Sequence, residues 1–198
     1  EGKMVNGLMK EGKIDDYRMA KALMVSRYFR CEEVIVIIGA ALSQVKGPVD
    51  GVFMKAFGSK KKDREEAIRF FQHPYGDLFS LYRIVTKYSD ASNRLNKYEL
   101  NKWCKNHFLN EGVLRKIRSK AQEISKKTWR KLAKVEQMTD EYYFKDCEEA
   151  GLFSLFKGYF PNLSKRDGKT DMYINFYPKK KTKASFDSRY GDSFFAYL

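Results

Sequence analysis

Residues 16–43 read DYRMAKALMVSRYFRCEEVIVIIGAALS, and this stretch decides how the first half of the chain folds. Its first part carries apolar residues at helical spacing: Met19, Ala22, Leu23, Tyr28 and Phe29. That spacing predicts an amphipathic helix, since one face of a helix repeats every 3.6 residues. Asp15 and Asp16 offer a start for the helix, which we expect to end near Arg30 or Cys31.

The second part of the stretch, Val34 to Leu42, is apolar without interruption. Its β-branched residues are compatible with a buried strand. The small residues that follow, Gly39, Ala40 and Ala41, instead favour a buried helix packed closely on its neighbours. At nine residues, the run is too short to span a bilayer. We therefore expect a core helix, with a buried strand as the alternative.

Further helices are predicted between this stretch and residue 138. Residues 44–62 hold glycines, a proline and a lysine run, which predict a loop. The predicted elements are a helix over 63–72, a helix capped by Asp77 that runs to about Tyr88, a turn over 89–93, and helices over 97–106 and 111–134. After about Thr139 the chain becomes rich in aromatic residues and glycines, and two segments, 173–177 and 194–198, alternate as strands do. Residues 166–169 read RDGK, a hairpin turn signal.

The composition points to an anionic partner. The chain carries a net charge of +14, and the basic excess is spread over both halves. Such a charge is typical of proteins that bind nucleic acid, with an anionic membrane surface as the alternative. The 43% of hydrophobic residues is enough to build a core, which argues against a disordered chain.

Motifs for catalysis are weak. Gly168-Lys169-Thr170 resembles the end of a phosphate-binding loop, but Leu163 stands where that loop needs a further glycine. Cys104 and His107 lie one helical turn apart without further ligands nearby, so packing is the expected role.

The three unpaired cysteines indicate a reducing compartment. No secretory signal is visible at the start. Because Glu1 is not a methionine, we expect a piece of a longer chain.

The basic residues that lie among aromatic residues are the best binding candidates. Lysine and arginine neutralise phosphates, and exposed rings can stack on unpaired bases. The alternatives are a solvated helix and a β domain whose aromatic residues form the core. The predicted RNA-binding residues are Arg115, Arg118, Lys157, Lys165, Arg166, Lys169, Lys179, Lys180, Lys181 and Lys183. Lys126, Lys127, Arg130 and Lys131 extend the basic face of the helix that carries the first two.

Four stretches, in order, resemble the DEAH-box RNA helicase family. Residues 16–43 are similar to its ratchet segment, and 71–81 to its Phe-x-His-x-x-Gly-Asp-His-Leu element. Residues 103–115 resemble its Trp-Cys-x-x-Asn-Phe helix pair, and 158–165 the Gly-Phe-Phe-Pro-Asn-Val-Ala-Arg start of its OB-fold. The chain departs from the family at several positions, among them Tyr17 for proline, Leu78 for histidine and His107 for asparagine.

The resemblance implies an α+β protein with three parts. Residues 1–14 would end a winged helix, 15–138 would form a helical, ratchet-like bundle, and 139–198 a small, incomplete OB-fold barrel. It also implies that two motor domains of the same parent chain bind ATP and Mg²⁺ and hydrolyse the ATP, whereas this region has neither cofactor nor ATPase. Its expected location is intracellular, in the nucleus or nucleolus.

The implied function is to grip single-stranded RNA and to dock activators such as glycine-rich patch proteins. The alternative is a protein-interaction module that docks acidic partners and has lost RNA binding. A membrane is not among the expected partners.

Overall fold

The computed structural model describes residues 1–45, 49–138 and 144–160. For residues 49 and 50, and for four short strands between 163 and 196, it describes the backbone alone. Eight α-helices lie in the described part of the chain. They are α1 (Gly2–Gly12), α2 (Tyr17–Tyr28), α3 (Glu32–Gln44), α4 (Lys60–Phe71), α5 (Asp77–Arg94), α6 (Lys97–Asn106), α7 (Glu111–Leu132) and α8 (Cys147–Tyr159), with a 3₁₀ turn at Val49–Val52.

Helix α3 is the central element of the bundle. Seven of its residues are buried, and it contacts α2, α5, α7 and α8. Because the helix is buried on several sides, its sequence shows no polar face. The absence of a polar face is the reason why a buried strand was also compatible with the sequence. The expected core helix is confirmed, as is the helix predicted from Asp16, whose carboxylate accepts a hydrogen bond from the Arg18 amide at 2.9 Å.

The prediction that the chain becomes largely β after residue 139 is wrong for residues 147–159. Helix α8 buries residues at helical spacing: Ala150, Gly151, Ser154, Leu155, Gly158 and Tyr159. This helix packs on α2 and α3, so it is part of the same core. Its aromatic residues hid the period of 3.6, because Phe153, Phe156 and Phe160 lie outside the buried face.

Glycines allow α8 to approach α2 closely. A Cβ atom on Gly158 would lie 2.5 Å from the Arg18 carbonyl oxygen and 2.8 Å from the Ala22 Cβ. On the following residue, the Tyr159 hydroxyl donates to Asp16 Oδ2 at 3.0 Å, and the Arg18 guanidinium lies 5.1 Å from the ring centroid. The start of α2 and the end of α8 are therefore held together by both packing and polar contacts.

Two local predictions in α5 need correction. Gly76, with φ of 94°, takes the N-cap position, and Asp77 is the first residue of the helix. The turn expected over 89–93 is absent, since α5 continues to Arg94. Ala91 is buried within this last part, and a tertiary contact of that kind overrides the weak helix propensity of the surrounding Ser, Asp and Asn residues.

A corner between α4 and α5 is built around His73, which is 5% exposed. Its Nδ1 accepts a hydrogen bond from the Tyr75 amide at 3.1 Å, so Nε2 carries the hydrogen and donates to Glu148 Oε2 at 2.8 Å. The Ser80 hydroxyl accepts from the His73 amide and donates to the Gly76 carbonyl. The histidine therefore ties this corner to α8.

The expected OB-fold barrel is wrong as a description of this structure. The described strands are β1 (Leu163–Arg166), β2 (Met172–Asn175), β3 (Lys181–Lys183) and β4 (Phe194–Ala196), and they form an open antiparallel sheet in the order β3-β2-β1-β4. The outer strands β3 and β4 each pair with one neighbour and not with each other, whereas a barrel requires closure. The described fold is thus a helical bundle accompanied by a small open sheet.

Within the described ranges, no helix combines the length and the apolar character needed to cross a membrane.

Candidate nucleic-acid interface

Helix α7 separates an apolar face from a basic face. Its buried residues recur three or four positions apart: Leu114, Ile117, Ala121, Ile124, Thr128 and Leu132. They pack mainly against α3 and α1. Most of the remaining positions are partly or fully exposed and rich in lysine and arginine, so the amphipathic pattern itself presents cations outwards.

Four cations in the C-terminal half of α7 and a fifth just past its end surround a shallow depression beside α1. They are Lys126, Lys127, Arg130, Lys131 and Lys134, and the acidic Glu11 of α1 also lines the depression. We call these five cations the basic surface. Lys131 Nζ lies 3.1 Å from Glu11 Oε1. Its aliphatic stem crosses Gly7, where a Cβ atom would come within 2.6 Å of Cε, so a residue with no side chain lets this lysine lie along α1.

Some of this charge is already neutralised within the protein. Glu123 accepts hydrogen bonds from Lys127 and from Lys120, the latter at 3.3 Å. The hydrogen bond from Lys127, followed by that from Lys120, lowers the pKa of the Glu123 carboxyl, so this group is ionised at neutral pH. Within the described part of the chain, Lys126, Arg130 and Lys134 take part in no ion pair. These three cations are therefore available to an anionic ligand.

An exposed tryptophan lies beside the basic surface. Trp129 is 62% exposed and lies one helical turn from Lys126 and next to Arg130. Residues three and four apart on a helix are surface neighbours, with Cβ atoms about 5–6 Å apart. Lys126 is therefore a surface neighbour of the ring, and Arg130, four positions after Lys126, is in turn a surface neighbour of Lys126.

Of the predicted RNA-binding residues on α7, one lies on the same face of the helix as Lys126 and one is engaged elsewhere. Arg115 is exposed and lies about three helical turns before Lys126, hence on the same side of the helix and roughly 16 Å away along its axis. Arg118 donates to the Ser92 hydroxyl and, at 3.2 Å, to Asn93 Oδ1. These contacts tie α7 to α5, which is a structural role.

Of the other predicted residues, one lies on α8, four lie on strands and three lie outside the described residues. Lys157 is exposed on α8, with its ammonium 5.2 Å from the centroid of the Phe153 ring. Lys165 and Arg166 belong to β1, and Lys181 and Lys183 to β3, two strands that are separated by β2. Lys169, Lys179 and Lys180 lie outside the described residues. The sequence pattern did not single out Trp129 or Lys134, although a ring between cations at helical spacing was a usable signal.

Other reactive groups pack inside the bundle. Burial raises the pKa of the Cys31 and Cys104 thiols to about 11, which keeps both protonated. His107 packs against the Trp103 ring with centroids 4.6 Å apart. Among the described residues, no group of His, Cys, Asp and Glu could hold a metal ion.

Comparison with known proteins shows similarity to RNA helicases. The chain is 31% identical over 128 residues to a human protein named "Putative pre-mRNA-splicing factor ATP-dependent RNA helicase DHX32", a match that covers 61% of this chain and 16% of the relative. The protein of the same name from Xenopus laevis is 26% identical over 118 residues, covering 59% of this chain and 15% of the relative. The chain therefore spans about a sixth of the length of these relatives. No family model matches it.

The similarity supports a helicase-related region, as the ordered motifs in the sequence predicted.

Proposed function

We propose that this chain is an RNA-binding and regulatory region of an ATP-dependent RNA helicase, located C-terminal to the motor domains of the parent chain. The observation that carries the proposal is the basic surface on α7, where Lys126, Arg130 and Lys134 remain free of ion pairs within the described residues. The similarity to relatives named ATP-dependent RNA helicases supports RNA as the anion.

The charge distribution favours a polyanion over a single small anion. The cations follow the axis of α7 from Arg115 to Lys131, a length of roughly 24 Å at 1.5 Å per residue. A nucleic-acid backbone presents repeated charges along such a line, and each neutralised phosphate releases a condensed counterion, which favours binding. The exposed cations of α7 therefore offer several weak contacts to one strand.

In the parent protein, ATP and Mg²⁺ would bind to the motor domains, and this region would supply grip on single-stranded RNA. Helix α7 belongs to the ratchet-like part predicted over residues 15–138. Docking of a glycine-rich patch activator is a further part of the proposal, carried over from the family resemblance. The relatives' description as pre-mRNA-splicing factors supports action in the nucleus during mRNA processing.

The proposal is tested by fluorescence anisotropy with a labelled 12-nucleotide single-stranded RNA and the 198-residue chain. With about three phosphates contacted, we expect the affinity to fall on the order of 20-fold between 50 mM and 200 mM salt. The triple variant Lys126→Glu, Arg130→Glu, Lys134→Glu should lose most of the binding and most of the salt dependence.

A matched control reverses three exposed lysines of α6: Lys97→Glu, Lys102→Glu, Lys105→Glu. It changes the net charge by the same amount at another place, so its affinity for RNA should stay well above that of the α7 variant. Absence of RNA binding by the unmodified chain at 50 mM salt would refute the proposal. Equal losses in the two triple variants would show that total charge, and not the basic surface, governs binding.

A further inference from the structure

The exposed ring of Trp129 has no structural role within the described part of the protein. It is 62% exposed, and none of the ring contacts or cation–π contacts found among the described residues involves it. The other tryptophan, Trp103, is partly buried and packs against His107. Leaving this large apolar ring mostly in water carries a free-energy cost of hydration, because little of it is buried against the rest of the fold.

The surroundings of Trp129 leave much of the ring accessible and place two cations nearby on the helix. Ala133, one turn further along α7, is exposed and too small to cover the ring. Lys126 lies one turn before it, and Arg130 is the next residue. Both are exposed and have long, flexible side chains. A flat, apolar surface thus lies near two cations that take part in no ion pair among the described residues.

We propose that Trp129 is a stacking platform for one unpaired RNA base, with Lys126 and Arg130 holding the phosphates on either side of that nucleotide. This inference rests on the proposed RNA binding and names the contact that selects single strands. A base in a duplex has both faces covered by its neighbours, whereas an unpaired base can stack on an aromatic ring. Cations alone do not distinguish the two, because duplex and single strand both carry phosphates.

The test compares the affinities of the 198-residue chain for a 12-nucleotide single-stranded RNA and a 12-base-pair RNA duplex. Replacing Trp129 by alanine should weaken single-strand binding roughly 5- to 160-fold, the effect of removing one stacked base. Duplex affinity should change less than twofold, and the salt dependence should stay the same because no charge is removed. Trp129→Phe keeps a ring and should retain most of the affinity.

Tyr17→Ala is a matched control, since this ring is 53% exposed but lies beside Asp15 and Asp16; its removal should leave single-strand affinity unchanged. Fluorescence of Trp129, measured in a Trp103→Phe background, should be quenched by the single strand and not by the duplex. Circular dichroism checks that each variant keeps its helices.

If the unmodified chain binds single-stranded RNA with a salt dependence that the α7 charge variant removes, while Trp129→Ala binds equally well, the stacking inference is overturned and the proposed function stands. If the unmodified chain binds no RNA at 50 mM salt, both are overturned. An alanine variant that loses single-strand and duplex binding equally would also overturn the inference, since the ring would then not select unpaired bases.

Discussion

Replacing Gly158 by alanine would test how closely α8 must approach α2. The added Cβ would lie 2.5 Å from the carbonyl oxygen of Arg18, 2.8 Å from the Cβ of Ala22 and 3.0 Å from the Ala22 amide nitrogen. Ordinary van der Waals contact begins near 3.4 Å. Since two of these atoms are backbone and the third is a methyl group, no flexible side chain can move aside, and the helices must separate by on the order of 1 Å.

The expected loss of stability follows from two opposing terms. Overpacking of this kind costs ~1–3 kcal/mol. Alanine recovers part of that, since glycine is about 1 kcal/mol less favourable in a helix interior. Separation of the helices also strains the hydrogen bond from the Tyr159 hydroxyl to Asp16, which is 3.0 Å long. We expect a net loss of about 1–2 kcal/mol, which lowers the Tm of a chain of this length by roughly 2–8 °C.

Thermal and urea unfolding followed by circular dichroism measure the effect, and two other glycines calibrate it. A Cβ on Gly39 would meet only the flexible side chain of Met19, at 3.2 Å, and a Cβ on Gly2 would meet nothing within 4 Å. The loss of stability should therefore decrease in the order Gly158→Ala, Gly39→Ala, Gly2→Ala. A Gly158→Ala variant as stable as the unmodified chain would refute the close packing of α2 on α8.

Two further predictions concern polar contacts of α8. Burial acts to raise the pKa of the Asp16 carboxyl, but hydrogen bonds from the side chain and amide of Arg18 and from Tyr159 outweigh it and lower that pKa. Asp16 therefore contributes to the free energy of unfolding above the ordinary carboxyl pKa, and this contribution is lost as pH falls through the lower pKa of the folded state. Asp16→Asn should make the free energy of unfolding, measured with urea, decline less steeply below about pH 4. Parallel curves for the variant and the unmodified chain would contradict this. The second prediction concerns the hydrogen bond from His73 to Glu148. Glu148→Ala leaves the buried Nε2–H without its acceptor and should lower the free energy of unfolding by ~1–3 kcal/mol. Glu148→Gln keeps an acceptor oxygen and should lower it by less than half as much in the same unfolding assay.

Helix boundaries were predicted best from the sequence where they depend only on caps and on the spacing of apolar residues. The helix over 97–106 is found with the predicted bounds, because Asn96 and Glu99 form a capping box at its start. Helix α7 begins as predicted behind the Asn110 cap and follows a clear amphipathic pattern. Caps and hydrophobic periods depend on residues only three or four positions apart, so they can be read without knowledge of the tertiary fold.

Prediction failed where distant contacts decided the conformation. The end of α5 contains residues of weak helix propensity, and burial of Ala91 keeps it helical. Residues 147–159 looked like the start of a β domain, and packing on α2 and α3 makes them a helix. The expected OB-fold was wrong because barrel closure depends on pairing between strands far apart in sequence, and the described outer strands do not pair with each other.

Some features of the candidate nucleic-acid interface follow from local sequence, and others follow from contacts between distant residues. The sequence by itself determined that α7 carries a basic face, because the spacing of its apolar residues leaves its lysines and arginines on the opposite side. The sequence also indicated the similarity to RNA helicases, because four motifs occur in the same order as in that family. Only the tertiary structure decided which cations are available. Contacts with α5 occupy Arg118, Glu11 pairs with Lys131, and Trp129 is left exposed beside Lys126 and Arg130. The physical reason is that charge is a property of each residue, whereas the availability of that charge depends on partners brought from other helices.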